Sequence, residues 1–335
     1  MRLVQLSGPG GRRVALVQDA AAGKGSLRLL RGSDSVYSLA SECLREGVSL
    51  ADRVTQLVSG EELDYDAIYR GESDWRLLPS ADFPAEPARC LVSGTGLTHQ
   101  ASAKNRDAMH AGTQAVTDST RMYLSGVEGG KPPAGEAGVS PEWFYKGNGS
   151  VLRAHGEPLV VPEFAEDGGE EPEIAGVYII DAQGTPRRIG FTVGNEFSDH
   201  VFERKNYLYL AASKLRICSI GPELVVDAKF GLIPGEVSVE REGKVLWSHP
   251  IKTGEETMCH SLANIEHHHF KFDFHRQPGD LHIHFFGADA FSFGAGVHLQ
   301  DGDVMQVRFD GFGRALRNPL RRVPFSTKPV AVGTI

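Results

Sequence analysis

The apolar residues of this chain fall into many short runs separated by Gly, Pro or Asp, and no feature limits its possible folds more. Runs at 158–161, 174–180, 189–193, 224–226, 237–239, 245–247, 281–286 and 304–309 are each too short for a buried helix. Turn residues bound most of them, so the series predicts short strands. Only two helices are expected among them, over 202–214 and 257–272. So few helices between so many strands argues against a doubly wound parallel sheet and predicts an α+β, β-rich fold. Tight turns explain why 39 of the 335 residues are glycine, well above the usual ~7 %.

Residues 1–85 have a different texture and predict a small N-terminal α/β domain. Strands are expected at 4–6, 14–17 and 27–30. Val36, Leu39, Cys43 and Leu44 are spaced for one helix over 35–46, and Leu50, Val54 and Leu57 for a second over 49–58. The segment 77–90 holds three prolines and is expected to link this domain to a second one over 86–335. There CLVSGTGLT predicts a buried strand ending in a Gly-rich turn, with a helix over 100–110 and a loop-like region over 132–149.

Charge excludes some partners. With 35 Lys and Arg against 43 Asp and Glu, the net charge is −8, and no basic block is present. That argues against nucleic acid and against an anionic membrane surface. No run of 18 apolar residues suggests a membrane span, and the N-terminus lacks the apolar core of a signal peptide. Cys43, Cys90, Cys218 and Cys259 are scattered, with no CxxC pair, and read as free thiols in a reducing cytoplasm.

Two clusters invite chemistry. In EEPEIAGVYII a strand would turn Glu171 and Glu173 to one face, and Glu196 follows a second strand. Three carboxylates at the ends of paired strands can hold Mg²⁺ or Mn²⁺, although spacing alone favours a solvated acidic loop. Of 13 histidines, seven lie between His260 and His284, including HHH at 267–269 and HIH at 282–284. Adjacent histidines on a helix point about 100° apart and cannot share one metal, and HEXXH is absent, so packed or hydrogen-bonded histidines are expected. GxSxG, P-loop and GxGxxG signatures are missing. His99 follows the Gly94-Thr95-Gly96 turn. Lys146 lies among aromatics on a Gly-rich stretch, and Lys214 ends the expected 202–214 helix; either lysine can meet a substrate carboxylate or an enolate.

Taken in order, these pieces resemble the fumarylacetoacetate hydrolase superfamily over about 88–320. The resemblance rests on Glu171-Pro172-Glu173, the segment Gly190-Phe191-Thr192-Val193-Gly194-Asn195-Glu196-Phe197-Ser198, then Lys214, Gly221-Pro222, Pro278-Gly279-Asp280 with Gly287, and Gly302-Asp303. It implies mixed sheets rolled into a barrel-like core, a homodimer, and Glu171, Glu173 and Glu196 as Mg²⁺ ligands. Glu196 stands where the family usually has Asp, and Asp199-His200-Val201 where it has Arg-Asp. Wording such as GTGLTH, PEWFYKG and GNEFSDH is similar to a branch of sugar-acid dehydratases acting on 2-keto-3-deoxypentonates, including 2-keto-3-deoxy-L-arabinonate.

A 2-keto acid can chelate the metal through its carboxylate and keto oxygens, and the metal then stabilises the enolate formed when a C3 proton leaves. The resemblance thus implies dehydration of a 2-keto-3-deoxypentonate to 2-oxoglutarate semialdehyde. C–C hydrolysis of an acylpyruvate or diketo acid is the alternative, and a non-catalytic sugar-acid binder a second. Lys214 is expected to hold keto or carboxylate oxygens. His99, Glu142 and Lys146 are candidates for proton transfer and hydroxyl contacts, His99 foremost.

Overall fold

In the computed structural model, which describes residues 1–18, 25–109 and 117–335 and not the side chains of 105–109, the short runs pair into two mixed sheets, one of twelve strands and one of five. Neither strand path closes on itself, so the core is built from open sheets. The larger path runs from Val58–Asp64 through Ser26–Leu30, Gly11–Gln18 and Arg2–Gly8 to Cys218–Val225, then Pro186–Asn195, Pro172–Ile180, Leu281–Phe285, Cys90–Gly94 and Phe144–Asn148. The smaller runs Lys244–Thr253, Ile233–Arg241, Val304–Phe309, Leu316–Arg322, Leu159–Val161. The α+β, β-rich expectation is met. No helix among the described residues is long and apolar enough to cross a membrane.

Helices begin where a serine can cap them. Ser35 accepts from the Ser38 N–H at Val36–Glu46, Ser49 from Asp52 at Leu50–Leu57, and Ser261 from Asn264 at Leu262–Phe270. Gly47 ends the first at φ 69°, a left-handed value that glycine adopts without strain. The helix expected over 202–214 is broken into His200–Lys205, a 3₁₀ turn at 207–209 and Leu210–Lys214. At the break, Asn206 is extended (φ −162°, ψ 128°) and its side chain caps Leu208, an alternative to helical pairing that Asn offers readily. The helix expected over 100–110 is Gln100–Met109, with position 110 outside the described residues. Phe144–Asn148, expected as loop, is a strand paired with Cys90–Gly94, its register shifting opposite Gly147 at φ 134°.

His155 marks where the N-terminal strands meet the rest. Its Nε2 lies 3.1 Å from the Tyr69 carbonyl, its Nδ1 accepts from the Arg317 N–H at 3.2 Å, and its ring stacks on Tyr69 at 4.1 Å. Burial holds it neutral, pushing it down to about 4. The unfolded chain therefore takes up this proton first, and the stability held by neutral His155 is complete above about pH 6.5 and lost as pH falls toward 4. Between pH 7.5 and 5 the native protein should lose about 2 kcal/mol more than His155→Gln, at ~1.4 kcal/mol per proton per pH unit. Urea melts at both pH values check this; equal losses would remove His155 from the account.

Candidate active site

The register of two neighbouring strands assembles the carboxylates. Pro172 pairs with Asn195 and Glu173 with Gly194, and the Glu196 N–H donates to the Glu171 carbonyl at 2.9 Å. Glu171 and Glu173 share a face, and Glu196 stands opposite Glu171. Their oxygens lie within 4.8 Å of one another, and all three residues are buried. Like charges across a ladder repel, and burial adds to this. Burial first, then Glu196 and Glu171, push the Glu173 carboxyl well above the usual range, and burial raises Glu196 to about 7 despite two lysines.

Those lysines enter from different elements. Lys214 closes its short helix with Nζ 2.6 Å from both Glu171 Oε1 and Glu196 Oε2, and it donates to Ser198 Oγ at 2.9 Å. Lys146, fully buried, reaches Glu196 Oε1 at 2.5 Å and the carbonyls of Glu196 and Phe197 at 2.8 Å each. Its ammonium thus makes two hydrogen bonds to main-chain carbonyls and an ion pair with the Glu196 carboxylate. Its place is therefore behind Glu196, as the support of that carboxylate. Burial lowers its affinity for a proton and Glu196 opposes this.

Two further contacts were not foreseen from the residues. His200 Nε2 lies 3.0 Å from Glu171 Oε1, its ring stacked on Phe291 at 4.6 Å. Burial disfavours the imidazolium, but Glu171, with Glu203 and Asp167, holds His200 above its ordinary value. The Gly287 N–H donates to Glu173 Oε2 at 2.7 Å. Gly287 has φ 97°, and a Cβ there would lie 2.1 Å from Thr98 Oγ1, so two constraints demand glycine. The only sequence signal for His200 was its place in the stretch that departs from the family pattern.

Three hard carboxylate groups in one buried space, faced by two ammonium groups, suit a hard divalent cation in composition and spacing. Such a cation would also offset the repulsion from Glu196 and Glu171 that adds to burial in raising Glu173.

His99 ends the adjoining 94–99 turn, and Glu142, on the segment that leads into Phe144–Asn148, packs against Gly96 of that turn. Thr98 Oγ1 donates its one proton to the Phe286 carbonyl at 2.7 Å, so at its 2.9 Å contact with His99 Nδ1 it must accept. His99 thus carries its proton on Nδ1, and its buried Nε2, an open lone pair, has no hydrogen-bond partner among the described residues. Burial, with Lys252, pushes it down to about 3 and keeps it neutral. Thr98 and Gly287 link it to Glu173. Glu142 is buried, accepts from the Tyr207 hydroxyl, and lies so close to Gly96 that a Cβ there would be 1.9 Å from its Oε1. Glu171, Glu173, Glu196, Lys146 and Lys214 thus form one cluster, with His99 on the turn beside it and Glu142 packed against that turn.

Comparison with known proteins shows the family and the fold. Residues 108–321 match the family model of the fumarylacetoacetate hydrolase C-terminal region. A probable 2-keto-3-deoxyxylonate dehydratase of Haloferax volcanii is 29 % identical over 180 residues, 52 % of this chain and 58 % of that protein. The match therefore spans little more than half of that relative's length. Among solved structures, a 2-keto-3-deoxy-D-arabinonate dehydratase complexed with magnesium and 2,5-dioxopentanoate superposes with TM-score 0.70 at 20 % identity, covering 97 % of this chain and all of that one. A 5-carboxymethyl-2-hydroxymuconate delta-isomerase from Mycobacterium smegmatis gives 0.59 at 17 %, covering 96 % and 99 %. At such identities the two structures speak for the fold.

Proposed function

The chain belongs to the fumarylacetoacetate hydrolase family, and on that premise we propose that it is a Mg²⁺-dependent dehydratase of a 2-keto-3-deoxy sugar acid. Its substrate is a 2-keto-3-deoxypentonate and its product 2-oxoglutarate semialdehyde. The observation that carries this reading is the buried trio Glu171, Glu173 and Glu196. The dehydratase names of the Haloferax relative and the magnesium-containing neighbour support the substrate class. In this reading the protein acts as a cytoplasmic homodimer.

Glu171, Glu173 and Glu196 would hold the cation, and Mn²⁺ suits the same oxygens. Bound there, it supplies Lewis-acid charge for the keto and carboxylate oxygens of the substrate. Lys214 fixes Glu171 and Glu196 relative to each other and adds positive charge beside the oxygen that becomes the enolate. His99 Nε2, with its open lone pair, takes the C3 proton. Glu142, oriented by Tyr207, passes a proton to the departing C4 hydroxyl, which leaves as water with formation of a C3–C4 double bond. Loss of a C5 proton and uptake of one at C3 then give the enol of the semialdehyde, which ketonises to the product. Lys146 keeps Glu196 in place.

The test is mass spectrometry of products from D- and L-2-keto-3-deoxypentonates, with and without Mg²⁺. Loss of one water, only with the metal, is expected. Two smaller fragments from a diketo acid would make the protein a C–C hydrolase, and binding without turnover would make it a sugar-acid binder.

A further inference from the structure

Three histidines of HHH and HIH take no part in the chemistry above, yet they are among the most buried polar groups of the described residues. His269, His282 and His284 are each no more than 1 % exposed. His282 and His284 share one face of Leu281–Phe285, against the end of Leu262–Phe270 that carries His269. Their hydrogen bonds have a fixed direction. The Trp143 indole can only donate, and its Nε1 lies 3.2 Å from His269 Nδ1. His269 therefore carries its proton on Nε2 and donates to His282 Nδ1 at 2.9 Å. His284, its ring 4.5 Å from that of His269, has Ser93 Oγ at 2.9 Å from Nδ1 and Thr95 Oγ1 at 2.8 Å from Nε2.

Both ends of this cluster reach the surroundings of one residue. Trp143 directly follows Glu142 in the chain. Thr95 directly precedes Gly96, on whose bare Cα the Glu142 carboxylate lies. Thr95 is also tied by its N–H to the Phe285 carbonyl at 2.9 Å. Leucine or phenylalanine would fill the same space without the cost of burying ring nitrogens. Polar groups kept at such a cost fix orientation better than apolar ones.

We propose that this histidine cluster is a positioning frame for Glu142, with His269 gripping Trp143 on one side and His284 fixing the Thr95–Gly96 turn on the other. The inference rests on the proton-transfer role given to Glu142 under the proposed function. The histidines touch no substrate; they are positioning residues.

Two arms test it. In the first, Trp143→Phe keeps the ring but removes the donor. It is expected to lower kcat tenfold to a hundredfold, roughly what slight misplacement of a reacting group costs, with KM changed less than about twofold. His269→Leu should do the same, and His269→Gln, which can accept from Trp143 and donate to His282, should restore kcat. In a Glu142→Gln background, Trp143→Phe should have no further effect on kcat, because residues acting through one group are not additive. A native kcat in Trp143→Phe, or the same fractional loss in both backgrounds, overturns the frame and leaves the role of Glu142 standing. A native kcat in Glu142→Gln alone overturns that role instead. The second arm needs no turnover. With 3-fluorotyrosine incorporated, the ¹⁹F resonance of Tyr207, assigned with Tyr207→Phe, reports its hydrogen bond to Glu142. It should move in Trp143→Phe and His269→Leu and return in His269→Gln. An unmoved resonance removes the frame whatever the kinetics.

Discussion

Glu173→Gln is expected to abolish metal-dependent turnover without weakening the fold. kcat/KM should fall by about 10³ or more, the scale set by several kcal/mol of lost charge stabilisation at ~1.4 kcal/mol per decade. Gln keeps an oxygen to accept from the Gly287 N–H, so that contact survives. The charge that disappears is one that burial, Glu196 and Glu171 all disfavour. In EDTA the variant should therefore melt no lower than the native protein, while the rise in Tm given by added Mg²⁺ is lost. Calorimetric titration with Mg²⁺ and melts with and without EDTA check both halves. Retained metal-dependent activity would remove the trio from the site. A large drop of Tm in EDTA would give Glu173 a structural role instead.

Lys146→Met should destabilise the protein by about 3–5 kcal/mol at pH 8, the usual effect of removing one partner of a buried ion pair. The Glu196 carboxylate loses one of its two ammonium partners, and the carbonyls of Glu196 and Phe197 each lose a donor. The loss should shrink toward pH 6. Glu196, already raised to about 7 with Lys146 present, can then become neutral by taking a proton. The folded state of the variant binds that proton more tightly than the unfolded chain does, so its stability rises as pH falls through this range. Urea melts at pH 6 and 8 measure the difference. A loss below about 1 kcal/mol at both values would show that Met simply packs in the space.

How far the sequence revealed this molecule depended on the range of the forces involved. Pro172–Ile180 and Pro186–Asn195 were legible because apolar runs bounded by turn residues are local signals. Glu171 and Glu173 were legible as a pair for the same reason, since strand alternation alone puts them on one face. Leu316–Arg322 and Asp118–Gly129 were missed: the first is a charged strand held by sheet pairing, the second a helix of low apolar content. Lys146 was placed on a loop because WFYKGNGS carries two glycines, whereas pairing with Cys90–Gly94 overrides that local preference. His200 against Glu171 and Tyr207 against Glu142 depend on where a broken helix carries its side chains, and the break at Asn206 is a local conformation that periodicity does not register.

The pairing of Arg2–Gly8 with Cys218–Val225 has a bearing on how this protein could be cut or recombined. The ladder itself is brief, Arg2 facing Val225 and Leu3 facing Leu224. Behind it, though, Leu3, Val14, Leu30 and Leu39 belong to the same apolar cluster as Val92, Val177, Ile220 and Phe285. Two strands, Cys218–Val225 and Pro186–Asn195, stand between the first strand and the one bearing Glu173. Removing the leading segment would leave the Leu224–Val225 end of Cys218–Val225 without its partners Arg2 and Leu3 and expose part of the apolar cluster the two regions share, the usual route to edge-to-edge aggregation. A chimera made by exchanging that segment would have to match the Leu224–Val225 edge and the shared apolar cluster as well as the peptide junction, so the leading residues are inherited together with the core they help to build.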